Sequence, residues 1–327
     1  MTKEVGRLNS FGLGIETTRG TGVPATIWIP TLSANITPMT ESVDDTSAFG
    51  RIEDSVDSHI AKQWAEFTAE GIVRSQSIGY LLALATGTRP TATLVETSVY
   101  SHTFVIANNN QHPSATIIRD NATQEEESVF QMIDTLGISV VNGEQLKFNV
   151  TMAGKVLADT TGNTPSFLTG TNDEIFKVCK TTVKFATNIA GLSGASAIEL
   201  QSFNFEIAKN LFRTWKLGDC NFASQENQQF TVTGDYEAIY EDDTFKDLYT
   251  DKTSQAMEIE VIGETLIGAT EFNKLTIQLA KATPEEWDRS GDVDAIVNQT
   301  AGFTARYSLA DSQMLNIVLQ NVKSTDY

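Results

Sequence analysis

Strict alternation of apolar and polar side chains is the feature that most restricts this chain, because only a strand with one buried face repeats every second residue. The run from Leu146 to Met152 sets Leu146, Phe148, Val150 and Met152 on one face and Lys147, Asn149 and Thr151 on the other. Phe203 to Ile207, Phe230 to Thr233, Met257 to Val261, Leu275 to Leu279 and Leu315 to Leu319 alternate in the same way. Threonine is abundant and there are only 7 prolines, as a sheet requires. The fold expected is mainly β.

Helical signals are few and short. Thr283-Pro284-Glu285-Glu286 has the cap, first-turn proline and reciprocal glutamate of a capping box, which predicts one or two turns through Trp287 to about Gly291. Ser77 to Ala85 with Gly87 as its stop predicts a second helix, and Asp243 to Tyr249 a third, capped by Asp243. Thr123 to Asp134 fits a helix through Thr123 and Glu126, and a strand through Val129, Phe130, Met132 and Ile133; both readings stand.

Lys155 to Asp173 is dense in Gly, Thr, Asn and Pro and reads as a long loop of the kind that serves an interface; Asn188 to Ser196 reads as another. No linker divides the chain, so residues 1–327 are taken as one domain. Glu66-Phe67-Thr68-Ala69-Glu70-Gly71 is echoed by Gln229-Phe230-Thr231-Val232-Thr233-Gly234, with a looser copy from Phe148 to Gly154. An internal duplication is one reading of that echo, and the ordinary recurrence of strand followed by glycine is the other.

Charge excludes several roles. The 42 acidic against 23 basic residues give a net charge of −19, which repels phosphate backbones and anionic membranes. Cys179 and Cys220 stand far apart and read as buried, inert thiols of a protein made in a reducing cytoplasm. The opening residues lack the charged-then-apolar pattern of a signal peptide, and the longest apolar run, Tyr80 to Ala85, is too short to span a bilayer. The sequons at Asn35, Asn121, Asn149 and Asn298 are read as chance matches.

No motif carries chemistry. Gly12, Gly14 and Gly20 lack the preceding strand and following helix of a phosphate-binding loop. His59, His102 and His112 have no metal-ligand spacing, and GxSxG does not occur. The acidic clusters Glu125 to Glu127, Glu241 to Asp243 and Asp288 to Asp294, which includes Asp292, do not match a calcium loop and read as solvated faces. Trp28, Trp64 and Trp215 sit in strand-like contexts and read as core. No enzyme and no cofactor is expected.

Taken in order, the segments resemble a phage tail tube protein of the siphovirus type. The resemblance runs from Phe11-Gly-Leu-Gly-Ile-Glu16-Thr-Thr-Arg-Gly20-Thr-Gly-Val-Pro-Ala25 through Thr135 to Val140, Lys147 to Lys155, Ala197 to Ile207, Gln229 to Tyr236 and Tyr240 to Leu248, to Leu275–Leu279, Thr304–Ser308 and Leu315–Asn321. The chain is longer than many such proteins, which leaves room for an added module that the sequence does not place. The resemblance implies an antiparallel β-sandwich or barrel with a few short helices. It further implies hexameric rings whose sheets close into one continuous barrel, and rings that stack through an N-terminal arm or extended loop. Partners would be further copies of the chain, a tape-measure protein, and the tail terminator and tail tip proteins. DNA would pass through the lumen without specific binding, no membrane would be involved, and the protein would reside in the virion tail after assembly in the host cytoplasm.

Polar faces of amphipathic strands are then the lumen candidates: Glu66, Thr68 and Glu70; Gln229, Thr231 and Thr233; Glu258 and Glu260. Alternation fixes a face but not its direction, so the tube exterior fits each as well. Ring-stacking candidates are Phe11, Glu16 and Arg19 in the N-terminal segment, and Asn163, Phe167 and Asn172 within 155–173. Other functions compatible with the pattern are the inner tube of a contractile tail or secretion ring, and a capsid-decorating or adhesin-like β-sandwich.

Overall fold

The computed structural model describes residues 5–121, 123–291, 293–294 and 296–327. Asp292, one of the acidic cluster above, lies outside the described residues. Strands in the first half are β1 (Ser10–Ile15), β2 (Ile27–Ile29), β3 (Ser33–Asp45), β4 (Asp57–Ile72), β5 (Thr93–Glu96), β6 (Val99–Val105), β7 (Ala115–Asp120), β8 (Glu125–Val141), β9 (Lys147–Gly154) and β10 (Ala158–Thr160), with helix α1 (Ser77–Thr86) after β4. The second half has β11 (Thr181–Ala186), β12 (Ala197–Ile198), β13 (Leu200–Ala208), β14 (Phe212–Thr214), β15 (Ser224–Glu226), β16 (Thr231–Ile239), β17 (Gln255–Leu266), β18 (Phe272–Arg289), β19 (Asn298–Ala305) and β20 (Leu315–Asn321). Helices α2 (Ile189–Leu192) and α3 (Thr244–Thr250) interrupt them. Every pairing between named strands is antiparallel.

Two strands are long enough to serve two sheets. The C-terminal part of β8 lies between β9 and β13, while its N-terminal part pairs with β7 and β10. The C-terminal part of β18 pairs with β19, while its N-terminal part lies between β17 and β20. A sheet of eight strands follows, in the order β3-β4-β9-β8-β13-β16-β19-β18, backed by two smaller sheets. Its inner face carries Phe67, Leu136, Phe148, Val150, Phe205, Ile207, Val232 and Phe303, all buried against the backing sheets and α1. The monomer is a sandwich whose main sheet stays open at β3 and at the end of β18.

The pairing scheme of the first half recurs in the second. β1–β2, β1–β7, β3–β4, β4–β9, β9–β8, β8–β7 and β10–β8 answer to β11–β12, β11–β17, β13–β16, β16–β19, β19–β18, β18–β17 and β20–β18. Irregularities recur as well. The β8–β9 register slips between Ile133 and Thr135 and the β18–β19 register between Pro284 and Glu286. The β7 slip between Ala115 and Ile117 is matched in β17 between Gln255 and Met257.

Local readings fare unevenly. α1 spans the predicted segment and stops at Gly87, whose φ of 80° is the left-handed cap a glycine allows. α3 starts after Asp243 as predicted, although Asp242 rather than Asp243 accepts the Thr244 N–H. Thr123–Asp134 resolves as strand. The capping-box segment does not form a helix: Thr283 to Trp287 continue β18, and the Glu285 carboxylate pairs with Arg306 and Lys252 across the sheet instead of reaching back to a helix N-terminus. Gly12 and Gly14 lie within β1, where a Cβ on Gly14 would stand 2.4 Å from the Pro24 carbonyl oxygen, so the glycines serve close backbone packing. The cysteines are not buried, since Cys179 is exposed and Cys220 half-buried. Trp28 is core in β2, but Trp215 lies outside the strands and half-buried, stacked edge-on against Trp64 at 6.1 Å.

Candidate functional site

Because side chains alternate across a strand, the residues between the buried ones in the eight-stranded sheet form a second face, which among the described residues is covered only near Trp64, by Trp215 and Arg213 of the β13–β16 connection. Cross-strand register arranges it in rows. One row runs Asn35, Thr68, Thr151, Thr135, Ala208, Thr231; the next runs Glu70, Asn149, Gly137, Glu206, Thr233, Thr304. Glu66, Thr68 and Glu70 of β4 therefore share a face with Thr231 and Thr233 of β16, Thr68 in the row of Thr231 and Glu70 in that of Thr233. Asp235, Glu286 and Asp288 extend the same face toward the β18 edge.

The electrostatics of this face are one-sided. Glu66, Glu70, Glu206, Asp235, Glu286 and Asp288 direct carboxylates to it. Lys147 also lies there, held by Glu144 at 3.0 Å, and toward the β3–β4 hairpin tip Lys62 is held by Glu41 at 2.8 Å. The Trp64 indole N–H donates to Glu66 at 2.8 Å, which fixes that carboxylate on the face. Hydroxyls, amides and carboxylates fill its middle rows, while Trp64 and Met132 at the β4–β8 end join an apolar cluster with Trp215 and Phe222, and Val141 and Ile239 are exposed at the other end.

The other lumen candidates lie elsewhere. Gln229 precedes β16, exposed, with its carbonyl accepting from the Asn210 amide. Glu258 and Glu260 are on β17 in a backing sheet. Glu258 pairs with Lys184 at 3.2 Å and accepts from Gln278, and Glu260 pairs with Lys274 at 3.7 Å. Glu206, Asp235 and Glu286 went unselected by sequence. The alternation of Phe203-Asn-Phe-Glu-Ile207 already carried the signal for Glu206, which stands between two buried residues.

Among the described residues no group of three histidine, cysteine or carboxylate side chains is placed to hold a metal ion. No described helix is long and apolar enough to cross a membrane. A family model described as phage tail tube protein matches residues 6–305. The chain belongs to that family. It is a structural protein of the bacteriophage tail, a constituent of the tail tube. No curated protein matches it.

Within this tail tube chain, the stacking candidates divide into two groups. Phe11 is 5 % exposed and packs on Phe67 at 5.5 Å. Glu16 is buried and accepts from the Phe130 N–H at 2.7 Å, the Gly20 N–H, and the Ser114 and Thr116 hydroxyls. Arg19 lies over the Phe130 ring at 4.9 Å and donates to the Gln225 carbonyl. These three tie the N-terminal segment to its own chain. Phe167 and Asn172 are exposed, and Asn163 is held by Glu125 at 3.0 Å. The 155–173 connection contains β10 and ends at Asp173, whose carboxylate accepts the Gln76 and Ser77 N–H groups and so caps α1 from far along the chain.

Behind the junction of β8 and β13, the tail tube chain buries a cation. Lys209 is 0 % exposed and its ammonium donates to the Leu84 carbonyl at 2.8 Å. Burial, with Arg19 nearby, pushes its pKa down to about 7, opposed by Asp134. Burial and the nearness of Lys209 likewise push His112 down to about 4. Both groups sit on the inner side of the sheet, away from the polar face.

Proposed function

We propose that copies of this chain close edge to edge into rings with six repeats around a bore. The rings stack into the tail tube, and the polar face of the eight-stranded sheet lines the bore through which DNA leaves. The observation that carries this reading is the pair of hydroxyl, amide and carboxylate rows that crosses the eight-stranded sheet, whose two edges lack partners among the described residues. An acidic wall repels phosphate, so duplex DNA slides past it. Closing the sheet on further copies removes edges that would otherwise recruit unrelated strands.

In this reading Glu66, Thr68, Glu70, Thr231 and Thr233 face the lumen, and Asn163, Phe167 and Asn172 stand where the next ring stacks. A tape-measure protein occupies the bore during assembly in the host cytoplasm, and terminator and tip proteins close the two ends. No catalytic step is assigned to the chain. Negative-stain electron microscopy of the purified protein over a concentration series tests the proposal. Rings or striated tubes with a central hole are expected; solid particles with no bore at high concentration would overturn it.

A further inference from the structure

The geometry points to a chain built of two copies of one structural unit, with the internal β8–β13 seam repeated between chains by β18 of one copy and β3 of the next. This rests on the tube reading above and adds which strands meet, in which register, and how many chains close a ring.

The recurrent pairings give a residue-by-residue match. One constant shift in numbering carries Met132 to Thr283, Asp134 to Glu285, Met152 to Phe303 and Asn149 to Thr300, and it holds through the register slips of both hairpins. Following the ladder onward, β4 falls on β16 and β3 falls on β13: Glu66 on Thr233, Ala34 on Phe203, Ile36 on Phe205. In-facing residues match in-facing residues, since Ile36 and Phe205 are both buried.

Within the chain the first unit offers the end of β8, and β13 of the second unit takes it, Glu206 opposite Gly137 and Ile207 opposite Leu136. The second unit offers the equivalent edge, Glu286 to Arg289 of β18, which has no strand beside it among the described residues. The equivalent of β13 is β3, which pairs on one side only. Transferring the internal register places Thr37 of the next chain opposite Asp288, and Pro38 opposite Trp287. One step differs. The Lys209 N–H donates to the Asp134 carbonyl, so Ile207 also points its N–H at β8; its counterpart Pro38 has none to give. A proline there guards a free edge from chance pairing.

A second observation agrees. The connection between β13 and β16 packs Trp215 on Trp64 and Phe222 on Phe130, covering the first unit. The corresponding connection of the first unit, between β3 and β4, leaves Phe49, Ile52 and Val56 exposed at 59, 104 and 62 %. The same transfer lays that tip against β16 and β18 of the neighbouring chain.

Barrel geometry then sets the count of chains. With strands spaced about 4.8 Å and tilted about 40°, a barrel of roughly 24 strands has a backbone radius of roughly 24 Å and a bore of roughly 36 Å once inward side chains are allowed for. Duplex DNA is about 20 Å wide, which about 16 strands would fit with no room for water and about 24 admit with a hydration layer. Eight strands per chain make that a ring of three chains, six units around, in place of six chains.

The test is disulfide trapping in tails isolated from virions that carry Thr37→Cys and Asp288→Cys in a Cys179→Ser, Cys220→Ser background. Thr37 and Asp288 are both exposed, and they match a non-hydrogen-bonded pair, whose close Cα spacing suits a disulfide. Oxidation is expected to give a covalent ladder that ends at three chains, while Thr37→Cys with Glu286→Cys, two residues out of register, gives little. A ladder continuing to six would overturn the three-chain ring. Tails intact by electron microscopy but without cross-link would overturn the seam. Virion tails whose wall lacks this protein would instead overturn the tube reading itself.

Discussion

Asp134 and Glu285 are the same residue of two hairpins: each is the extra residue that lets a long strand slip by one against its partner and turn from the polar-faced sheet into a backing sheet. Asp134 uses the position to accept the Leu211 N–H at 3.1 Å, holding the second unit's connection against the first. Glu285 pairs instead with Arg306 and Lys252. Asp134→Ala should therefore lower stability by about 2 kcal/mol, the net worth of one partly buried hydrogen bond to a charged group, and Glu285→Ala by less, because exposed pairs contribute little. Urea unfolding of the two variants measures the difference.

In the proposed seam between chains, Pro38 withholds one main-chain hydrogen bond. Pro38→Thr supplies it and should strengthen each seam by about 1 kcal/mol. The expected result is tails that dissociate at higher temperature, together with free subunits more prone to associate. Thermal dissociation followed by light scattering checks both; tails no more heat-resistant than the parent would count against the register.

Replacing Glu66 and Glu70 by lysine puts two cations per chain on the polar face without touching the buried side. Assembly should proceed and DNA ejection should slow, more so at low ionic strength where screening is weak. Ejection kinetics from correctly assembled particles provide the readout, and an unchanged rate would remove these residues from the bore.

Glu16 accepts from two backbone N–H groups and two hydroxyls in a buried site. Glu16→Ala leaves those donors without partners and should cost about 3 kcal/mol or more. Glu16→Gln also destabilises, because its amide brings donors toward donors. Shifts of the urea midpoint at constant slope would report this; a midpoint unmoved would mean the residue faces another chain instead.

Lys209 makes stability depend on pH. Its folded pKa of about 7 lies below the ordinary 10.5, so between those values the unfolded chain holds a proton that the folded chain lacks, and stability rises with pH. From pH 7 to pH 9 the parent should gain about 2 kcal/mol relative to Lys209→Met, which has no such group. Denaturant unfolding at the two pH values measures it, and equal changes in parent and variant would show that the ammonium is solvated.

Strands were legible wherever one face is buried, and the runs at Phe148, Phe205, Ile259, Ile277 and Ile317 all lie within strands. Which way the polar face points was not, because alternation at β4 and at β17 is alike; only the pairing order puts Glu70 on the open sheet and Glu258 beside Lys184. Thr283-Pro284-Glu285-Glu286 misled because a strand that slips by one residue tolerates the same proline and glutamates that open a helix. The sequence echo also fell out of step: strand matching sets Phe67 beside Gly234, not Phe230. Side-chain identity differs between the two halves, while the hydrogen-bond ladder and its slips, which local pattern does not encode, recur.

The hairpin of β5 and β6 belongs to the first unit alone, yet β6 pairs along β20 of the second. Each polypeptide is thus stitched twice across its own middle, by the β8–β13 ladder of the eight-stranded sheet and by the β6–β20 ladder behind it, whereas the proposed junction with a neighbour has no counterpart to the second stitch. If three chains close the ring as proposed, a tail that is bent or forced from within carries hoop load unevenly and tears lengthwise along three weak lines while the joints inside each chain hold.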